Sequence, residues 1–122
     1  MPRVVGSIAP HGGQLVNRVL RGELCAAALD RAANFPRVAL TRMAVSDLEM
    51  ISVGAFSPLT GFMTRADYDS VIDSMHLSNG LAWSIPVTLP VDDETAADLR
   101  EGQEIALMDG DLLMGIMTIA EK

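Results

Sequence analysis

The sequence predicts a small α+β domain in which three to four short helices accompany a small β-barrel or sheet. Between residues 23 and 75 apolar residues recur mainly at helical spacing, whereas from residue 83 onward they alternate with polar residues or flank an Asp-Gly turn. A chain of 122 residues has the size of one domain, which buries roughly two thirds of its unfolded surface. We therefore expect a single domain over residues 1–122.

Two helices and one short strand are predicted in the first half of the chain. Residues 23–33 are rich in alanine and carry one apolar stripe, which predicts a helix that ends before Pro36. Residues 37–41 are predicted to form a short strand. Ser46 and Glu49 have the spacing of a capping box, so the second helix is predicted to start at residue 46 and to end at about residue 53, before Gly54.

A third helix is predicted after Thr64, because Thr64 and Asp67 form a second, weaker start signal. Its apolar residues follow the spacing i, i+3, i+4 and i+7, which predicts a stripe that faces the core. His76 is expected to close the helix and to interact with its negative end. The stripe consists of Tyr68, Val71, Ile72 and Met75.

The remaining residues favour strands with one short helix between them. Residues 83–91 alternate in polarity, and Pro86 and Pro90 place this predicted strand at an edge or a bulge, since proline cannot donate to a ladder. A short helix is predicted over residues 92–100. Residues 104–108 and 112–120 then read as a hairpin joined by a turn of the primed kind at Asp109 and Gly110.

The last predicted strand has large apolar residues on both of its faces. Such a strand needs cover on both sides, which a closed barrel would supply. The alternative is that the cover comes from another polypeptide, and the eight methionines of the chain suit an adaptable contact surface. We therefore expect either a barrel or a docking contact here.

Composition and charge narrow the class of protein. Hydrophobic content of 49% with 20% charged residues is typical of a globular chain, and no apolar run reaches the roughly 20 residues of a membrane span. The single Cys25 and the short apolar part of the amino terminus predict a cytoplasmic location. Residues 1–65 have a net charge of +3 and residues 66–122 a net charge of −10, so binding to a long nucleic acid is not expected.

Residues 54–63 are the most informative stretch of the chain. Two glycines, a proline and two phenylalanines within ten residues indicate a tightly packed connection between two helices, with aromatic side chains directed into a core. We predict a structural and docking role for this stretch. The residues assigned to that role are Gly54, Phe56, Ser57, Pro58, Leu59, Gly61 and Phe62.

The same stretch carries a family resemblance. Asp47-Leu48-Glu49, residues 54–63 and Asp67-Tyr68 resemble the amino-terminal domain of ATP sulfurylase (sulfate adenylyltransferase). Further matching blocks run in the same order from about residue 8 to residue 119: Pro10 to Gly13, Leu15-Val16, Met75 to Gly80, Trp83 and Ile85 to Leu89. The resemblance implies a PUA-like domain that precedes a separate nucleotide-binding catalytic domain.

The resemblance also implies a parent activity, the formation of adenosine 5′-phosphosulfate and pyrophosphate from ATP and sulfate, for sulfate assimilation. The family's Gln-x-Arg-Asn-x-x-His-x-x-His motif belongs to its later domain, and this chain has two histidines 65 positions apart. The one lysine, Lys122, excludes a Walker-type phosphate loop. We therefore assign no catalytic, cofactor-binding or metal-binding residue, and we expect ATP and Mg²⁺ to belong to a catalytic domain.

Two other functions stay open. His11, Arg18 and Arg42 are weak candidates for contacts to an anion. A stand-alone PUA-like module that binds RNA would need a basic face, and a self-associating module would cover its last strand with a second copy. The expected partner is thus a catalytic domain or subunit of the ATP sulfurylase type, or another copy of the chain. The arginines available for a basic face are Arg3, Arg18, Arg21, Arg31, Arg37 and Arg42.

Overall fold

The computed structural model describes residues 8–122, and in this part of the chain four helices accompany an open three-stranded sheet. The predicted α+β class is confirmed, and a sheet is the form observed. The elements are α1 (Gly22–Ala32), β1 (Arg37–Ala39), α2 (Arg42–Val53), α3 (Arg65–Ser74), α4 (Asp93–Asp98), β2 (Glu104–Asp109) and β3 (Leu112–Thr118).

The sheet has β2 at its centre. β1 runs parallel to β2, with Ala39 opposite Met108, and β3 runs antiparallel to β2. The predicted hairpin is confirmed, but its two central residues are Gly110 and Asp111, and the positive φ of 58° at Gly110 suits the first position of a primed turn. The four inner residues of β2 are buried because strands flank it on both sides.

The start predicted for α2 is wrong by four residues. The helix begins at Arg42, and the hydroxyl of Thr41 caps it by accepting a hydrogen bond from the Ala44 N–H at 3.1 Å. Ser46 therefore lies inside the helix rather than at its cap. Thr41 is itself a good capping residue, and the next four residues contain no glycine or proline, so the earlier cap prevails. The predicted end at Gly54 is confirmed by its φ of 86°.

The start of α3 is confirmed, but its predicted core-facing stripe is wrong. The Thr64 hydroxyl accepts a hydrogen bond from the Asp67 N–H at 3.3 Å. Only Val71 of the stripe is buried. The helix ends in a left-handed residue, Met75, with a φ of 56°. His76 follows, and its Nδ1 donates to the carbonyl of Ser74 at the end of the helix at 2.6 Å.

Residues 83–91 are not a strand of the sheet, contrary to the prediction. The residues just before this segment form one isolated antiparallel bridge, between His76 and Ala82, and it is the one such bridge within residues 8–122. Val87 is instead held by Met63, whose N–H donates to the Val87 carbonyl at 2.8 Å. Pro86 lacks a backbone donor, as does Pro90, so neither residue can donate to a ladder in this segment.

β3 is an edge strand whose side chains are mostly half-buried. One face of β3 packs against α2. A Cβ built on Gly115 would lie 3.5 Å from the Leu48 side chain of that helix. A closed barrel, one of the two kinds of cover considered for the second face, is not formed by the described residues. The boundaries predicted for α1, α4 and the hairpin strands agree with the structure to within two residues.

Two apolar clusters make up the core. The first cluster joins the sheet to Leu99 at the end of α4, and it contains Val38, Leu99, Ile105, Leu107 and Ile119. The second lies under residues 54–63 and contains Ile51, Leu59, Val71, Leu77 and Val87. Phe62 packs against both clusters. No helix among the described residues is long and apolar enough to cross a membrane.

Candidate docking site around residues 54–63

Residues 54–63, called the motif loop here, connect α2 to the residues before α3. The loop is anchored by Ser57, which is buried with 3% of its surface exposed. The Ser57 hydroxyl accepts a hydrogen bond from the Val16 N–H at 2.8 Å and donates one to the Gly54 carbonyl at 2.7 Å. One buried side chain therefore satisfies backbone groups of two distant segments.

Gly54 is required by both its backbone conformation and its surroundings. A Cβ at this position would lie 2.6 Å from Leu15 Cδ1 and 2.8 Å from the Val16 carbonyl oxygen. The left-handed φ of 86° is also costly for residues with a Cβ. Gly54 thus lets the segment around residue 15 cross the end of α2 in direct contact.

The amino-terminal segment, residues 10–20, contacts the motif loop at one further point and the end of α2 at another. A Cβ built on Gly12 would lie 3.2 Å from the Cβ of Pro58. The peptide bond between Ser57 and Pro58 is cis. The Arg18 N–H donates to the Ser52 carbonyl at 2.9 Å. The sequence predicted a packing role for the motif loop but did not identify the amino-terminal segment as its partner. The one signal for that contact was the family resemblance of residues 10–16, which occurs in the same ordered set of blocks as the loop.

Aromatic side chains line the other side of the loop. Phe56 meets Trp83 edge to face, with ring centroids 5.6 Å apart. The His11 ring lies 6.2 Å from the Trp83 ring, and its Nε2 donates to the Ala82 carbonyl at 2.7 Å. The Trp83 indole N–H is buried without a hydrogen-bond partner among the described residues. This arrangement joins residues 81–83 to the motif loop and the amino-terminal segment.

The three candidate anion contacts do not share one place. His11 lies beside Trp83, whereas the Arg18 backbone contacts α2 near its carboxyl end and Arg42 begins that helix. Ten residues of helix separate Arg42 from Ser52, a distance of about 15 Å at 1.5 Å per residue. Of the arginines considered for a basic face, Arg3 lies outside the described residues. An anion-binding role for His11, Arg18 and Arg42 stays a prediction.

Two shallow clefts adjoin these elements. One, of about 150 Å³, is lined by residues 58–64 of the loop region with Asp67, Leu77 and Asn79. The other, of about 300 Å³, lies between β1 and the start of α4. Residues 8–122 contain no group of three or more His, Cys, Asp or Glu side chains placed to hold a metal ion.

Two carboxylates have shifted pKa values. Partial burial on α2 raises the pKa of Asp47. The pKa of Asp92 is lowered, mainly because its carboxylate accepts a hydrogen bond from the Thr95 backbone N–H at 2.6 Å, with the Thr95 side chain as a further cause. Asp92 is the cap of α4, so its shift has a structural origin.

Comparison with known proteins identifies the class to which this fold and this loop belong. The family model of the PUA-like domain matches residues 8–122, and the chain therefore belongs to the PUA-like domain family. The relatives place it more narrowly. It is 55% identical over 117 residues to a sulfate adenylyltransferase of Synechococcus sp. strain JA-3-3Ab, and 55% identical over 116 residues to the sulfate adenylyltransferase of Symbiobacterium thermophilum.

The matches cover nearly all of this chain but only part of each relative. The Synechococcus match includes 95% of the chain and 30% of the relative, so the chain spans about a third of the length of these enzymes. A solved structure entitled hexameric APS kinase from Thiobacillus denitrificans matches with a TM-score of 0.82 and 40% identity, over 92% of this chain and 23% of that chain. The predicted resemblance to a PUA-like domain of sulfate adenylyltransferase is confirmed.

Proposed function

We propose that this chain is a non-catalytic structural and docking domain of a sulfate adenylyltransferase. The observation that carries the proposal is the 55% identity to the Synechococcus relative over 117 residues. These residues make up 95% of this chain but only 30% of the relative. The parent reaction joins sulfate to ATP and releases pyrophosphate, and it needs groups that offset charge on the leaving pyrophosphate. The two histidines lie 65 positions apart and the one lysine is Lys122, so the chain lacks the His-x-x-His motif of the family's later domain and a Walker-type lysine.

The geometry of the motif loop supports a scaffolding role. Ser57 ties the loop to the amino-terminal segment, and Phe62 contacts both apolar clusters, so the loop couples the two halves of the domain. A rigid body of this kind positions a neighbouring domain without touching the substrate. The described residues offer no metal cluster, and the proposal gives ATP and Mg²⁺ no binding residue in this chain.

The first test is an assay of the isolated chain. Pyrophosphate release from ATP and sulfate, with Mg²⁺ present, is expected to equal that of a control without protein. Turnover that depends on both ATP and sulfate would contradict the non-catalytic role. The Synechococcus relative serves as the positive control.

The second test asks whether the chain works as a domain. The matched 117 residues of the Synechococcus relative are replaced by this chain, and the activity of the chimera is measured. We expect an active chimera, since more than half of the exchanged residues are identical. Ser57→Ala in the chimera should lower activity and thermal stability together, whereas Ser74→Ala, on an exposed serine, should change neither.

The RNA-binding alternative and the cytoplasmic location also remain proposals. The net charge of −7 opposes binding to a polyanion, while the basic first half leaves a local face available. A gel shift with structured RNA across salt concentrations decides the first point: a shift that weakens steeply with salt supports RNA binding, and no shift at low salt removes it. The single cysteine supports the second point.

A further inference from the structure

Met63, at the end of the motif loop, pairs with Val87 through both its backbone and its side chain. The Met63 N–H donates to the Val87 carbonyl at 2.8 Å, and the Met63 Sδ accepts a hydrogen bond from the Val87 N–H at 3.4 Å. A thioether is a weak acceptor, and here it takes the place that a backbone carbonyl has in a regular ladder. Within residues 8–122 this is the one hydrogen bond that a sulfur atom accepts.

The surroundings of this pair are apolar. Val87 belongs to the second cluster and has 0% of its surface exposed, and Met63 packs against the same cluster. The Val87 N–H is therefore buried, and the sulfur keeps this backbone donor satisfied. A change in the chemistry of the sulfur would leave the donor without a partner.

Met63 can be reached by a small molecule. Its side chain is half-buried, and the residue lines the cleft of about 150 Å³ beside residues 58–64. One water needs only about 10–15 Å³ of such space, so a peroxide of four atoms can enter the cleft. Met63 differs in this respect from Met108, which is 6% exposed, and it differs from the 75% exposed Met43 in having a hydrogen bond to its sulfur.

We propose that Met63 is a site of reversible oxidation, at which a peroxide converts the thioether to a sulfoxide and thereby loosens the motif loop. The sulfur attacks one oxygen of the peroxide and the O–O bond breaks. A proton passes from the oxygen now bound to sulfur to the departing oxygen, which leaves as water. The sulfur is oxidised by two electrons, and the peroxide is reduced by two.

The sulfoxide cannot keep the hydrogen bond to Val87. Its sulfur carries positive charge and no longer attracts an N–H. An oxygen does not fit between the Met63 sulfur and the Val87 nitrogen, because these atoms are 3.4 Å apart and an N–H···O bond alone needs about 2.9 Å. The proposal is independent of the sulfate adenylyltransferase assignment, because it rests on contacts within this domain.

The same hydrogen bond predicts the stereochemistry of the reaction. A thioether sulfur has two lone pairs, and in the folded chain the Val87 N–H occupies one of them. The peroxide therefore reacts at the other lone pair, and a single sulfoxide epimer forms. Each class of methionine sulfoxide reductase acts on one epimer, so one class should restore Met63 and the other should not.

The experiment treats the folded 122-residue chain with hydrogen peroxide and follows the oxidation of each methionine by peptide mass spectrometry. Met63 is expected to be oxidised at least about tenfold faster than the buried Met108. Its oxidation should lower the midpoint of thermal unfolding by about 4 °C or more. Hydrogen exchange of the Val87 amide should become faster at the same time, and one class of reductase should reverse these changes.

Two variants separate Met63 from the other methionines. Met63→Leu conserves the side-chain volume but has no acceptor, so its midpoint should start below that of wild type and fall little further with peroxide. Met43→Leu, at an exposed residue, is the matched control and should lose as much as wild type. Equal losses in wild type and Met63→Leu overturn the proposal. It is also overturned if Met63 resists peroxide as well as Met108 does, or if the folded chain forms both epimers in equal amounts, as a chain unfolded in urea should.

Discussion

The motif loop and α3 are neighbours in the chain and differ in how they are held. The loop has no regular secondary structure, yet Ser57 and Leu59 are buried and its backbone is tied to the amino-terminal segment. α3 is a regular capped helix with a clear amphipathic pattern, yet only Val71 is buried. Regular hydrogen bonding and anchoring in the core are therefore separate properties in this domain.

The difference arises from where the partners come from. A helix satisfies most of its own backbone groups, so α3 keeps its backbone hydrogen bonds although Val71 is its one buried residue. The motif loop cannot do so, and it depends on long-range contacts such as that between Ser57 and Val16. Substitutions in the loop should consequently affect the stability of the whole domain, whereas most of those on α3 should not.

The largest expected effect comes from truncating a buried side chain of the loop. Leu59→Ala should lower the free energy of unfolding by about 2–5 kcal/mol, since a cavity replaces its contacts in the second cluster. Ile72→Ala removes a side chain of similar size from exposed α3 and should cost within about 0.5 kcal/mol. Chemical denaturation at low protein concentration measures both. Equal losses would contradict the contrast between the two regions.

An effect of similar size is expected at Gly54. Gly54→Ala combines left-handed strain of about 1–2 kcal/mol with overpacking against Leu15 and Val16 of about 1–3 kcal/mol. Gly13→Ala is the matched control, because Gly13 also has a positive φ but nothing within 4 Å of a built Cβ. The difference between the two variants in thermal unfolding isolates the close approach. If Gly13→Ala is as damaging as Gly54→Ala, the crossing of residue 15 over α2 is not tight.

Local signals in the sequence were sufficient for much of the fold. Caps and turns such as Thr64, Gly54 and the hairpin glycine act through backbone geometry within a few residues, and they placed element ends correctly. The start of α2 was missed because two capping residues competed and the earlier one, Thr41, prevailed. The motif loop was recognised as packed because its two phenylalanines, set among glycine and proline, favour burial against a core.

Long-range information was not available from the sequence. Alternation over residues 83–91 matched a strand, but a ladder needs a partner strand, and the sheet formed by the described residues consists of β1, β2 and β3 alone. The stripe on α3 matched a buried face, but burial depends on what the rest of the fold places opposite it. The contacts of His11 with Trp83 and of Ser57 with Val16 join residues far apart in sequence, and no periodicity encodes them.

Ser57 offers a direct measure of how the loop is anchored. Ser57→Ala leaves the half-buried Val16 N–H without its partner, at a cost of about 1–3 kcal/mol, whereas the Gly54 carbonyl keeps its hydrogen bond from the backbone N–H of residue 57 at 3.1 Å. Ser74→Ala on α3 removes an exposed hydroxyl that bonds only to the Ser70 carbonyl, and its effect should be close to zero. Hydrogen exchange of the Val16 amide reports the same bond: it should speed up in Ser57→Ala and remain unchanged in Ser74→Ala.

The smallest effect distinguishes a neutral cap from a charged one. Thr64 caps α3 with a hydroxyl, whereas Asp92 caps α4 with a carboxylate whose pKa is lowered below 3.8. A lowered folded-state pKa means that the ionised cap stabilises the domain above the unfolded pKa, and this contribution is lost as pH falls through the folded value. Asp92→Ala should therefore lose stability relative to wild type at neutral pH, and the deficit should shrink on acidification below 3.8. Denaturation curves of Thr64→Ala provide the control. Its loss of stability should stay constant over the same pH range, because a hydroxyl cap does not titrate. If the losses of both variants decline in parallel, the trend belongs to the whole domain and not to the Asp92 carboxylate.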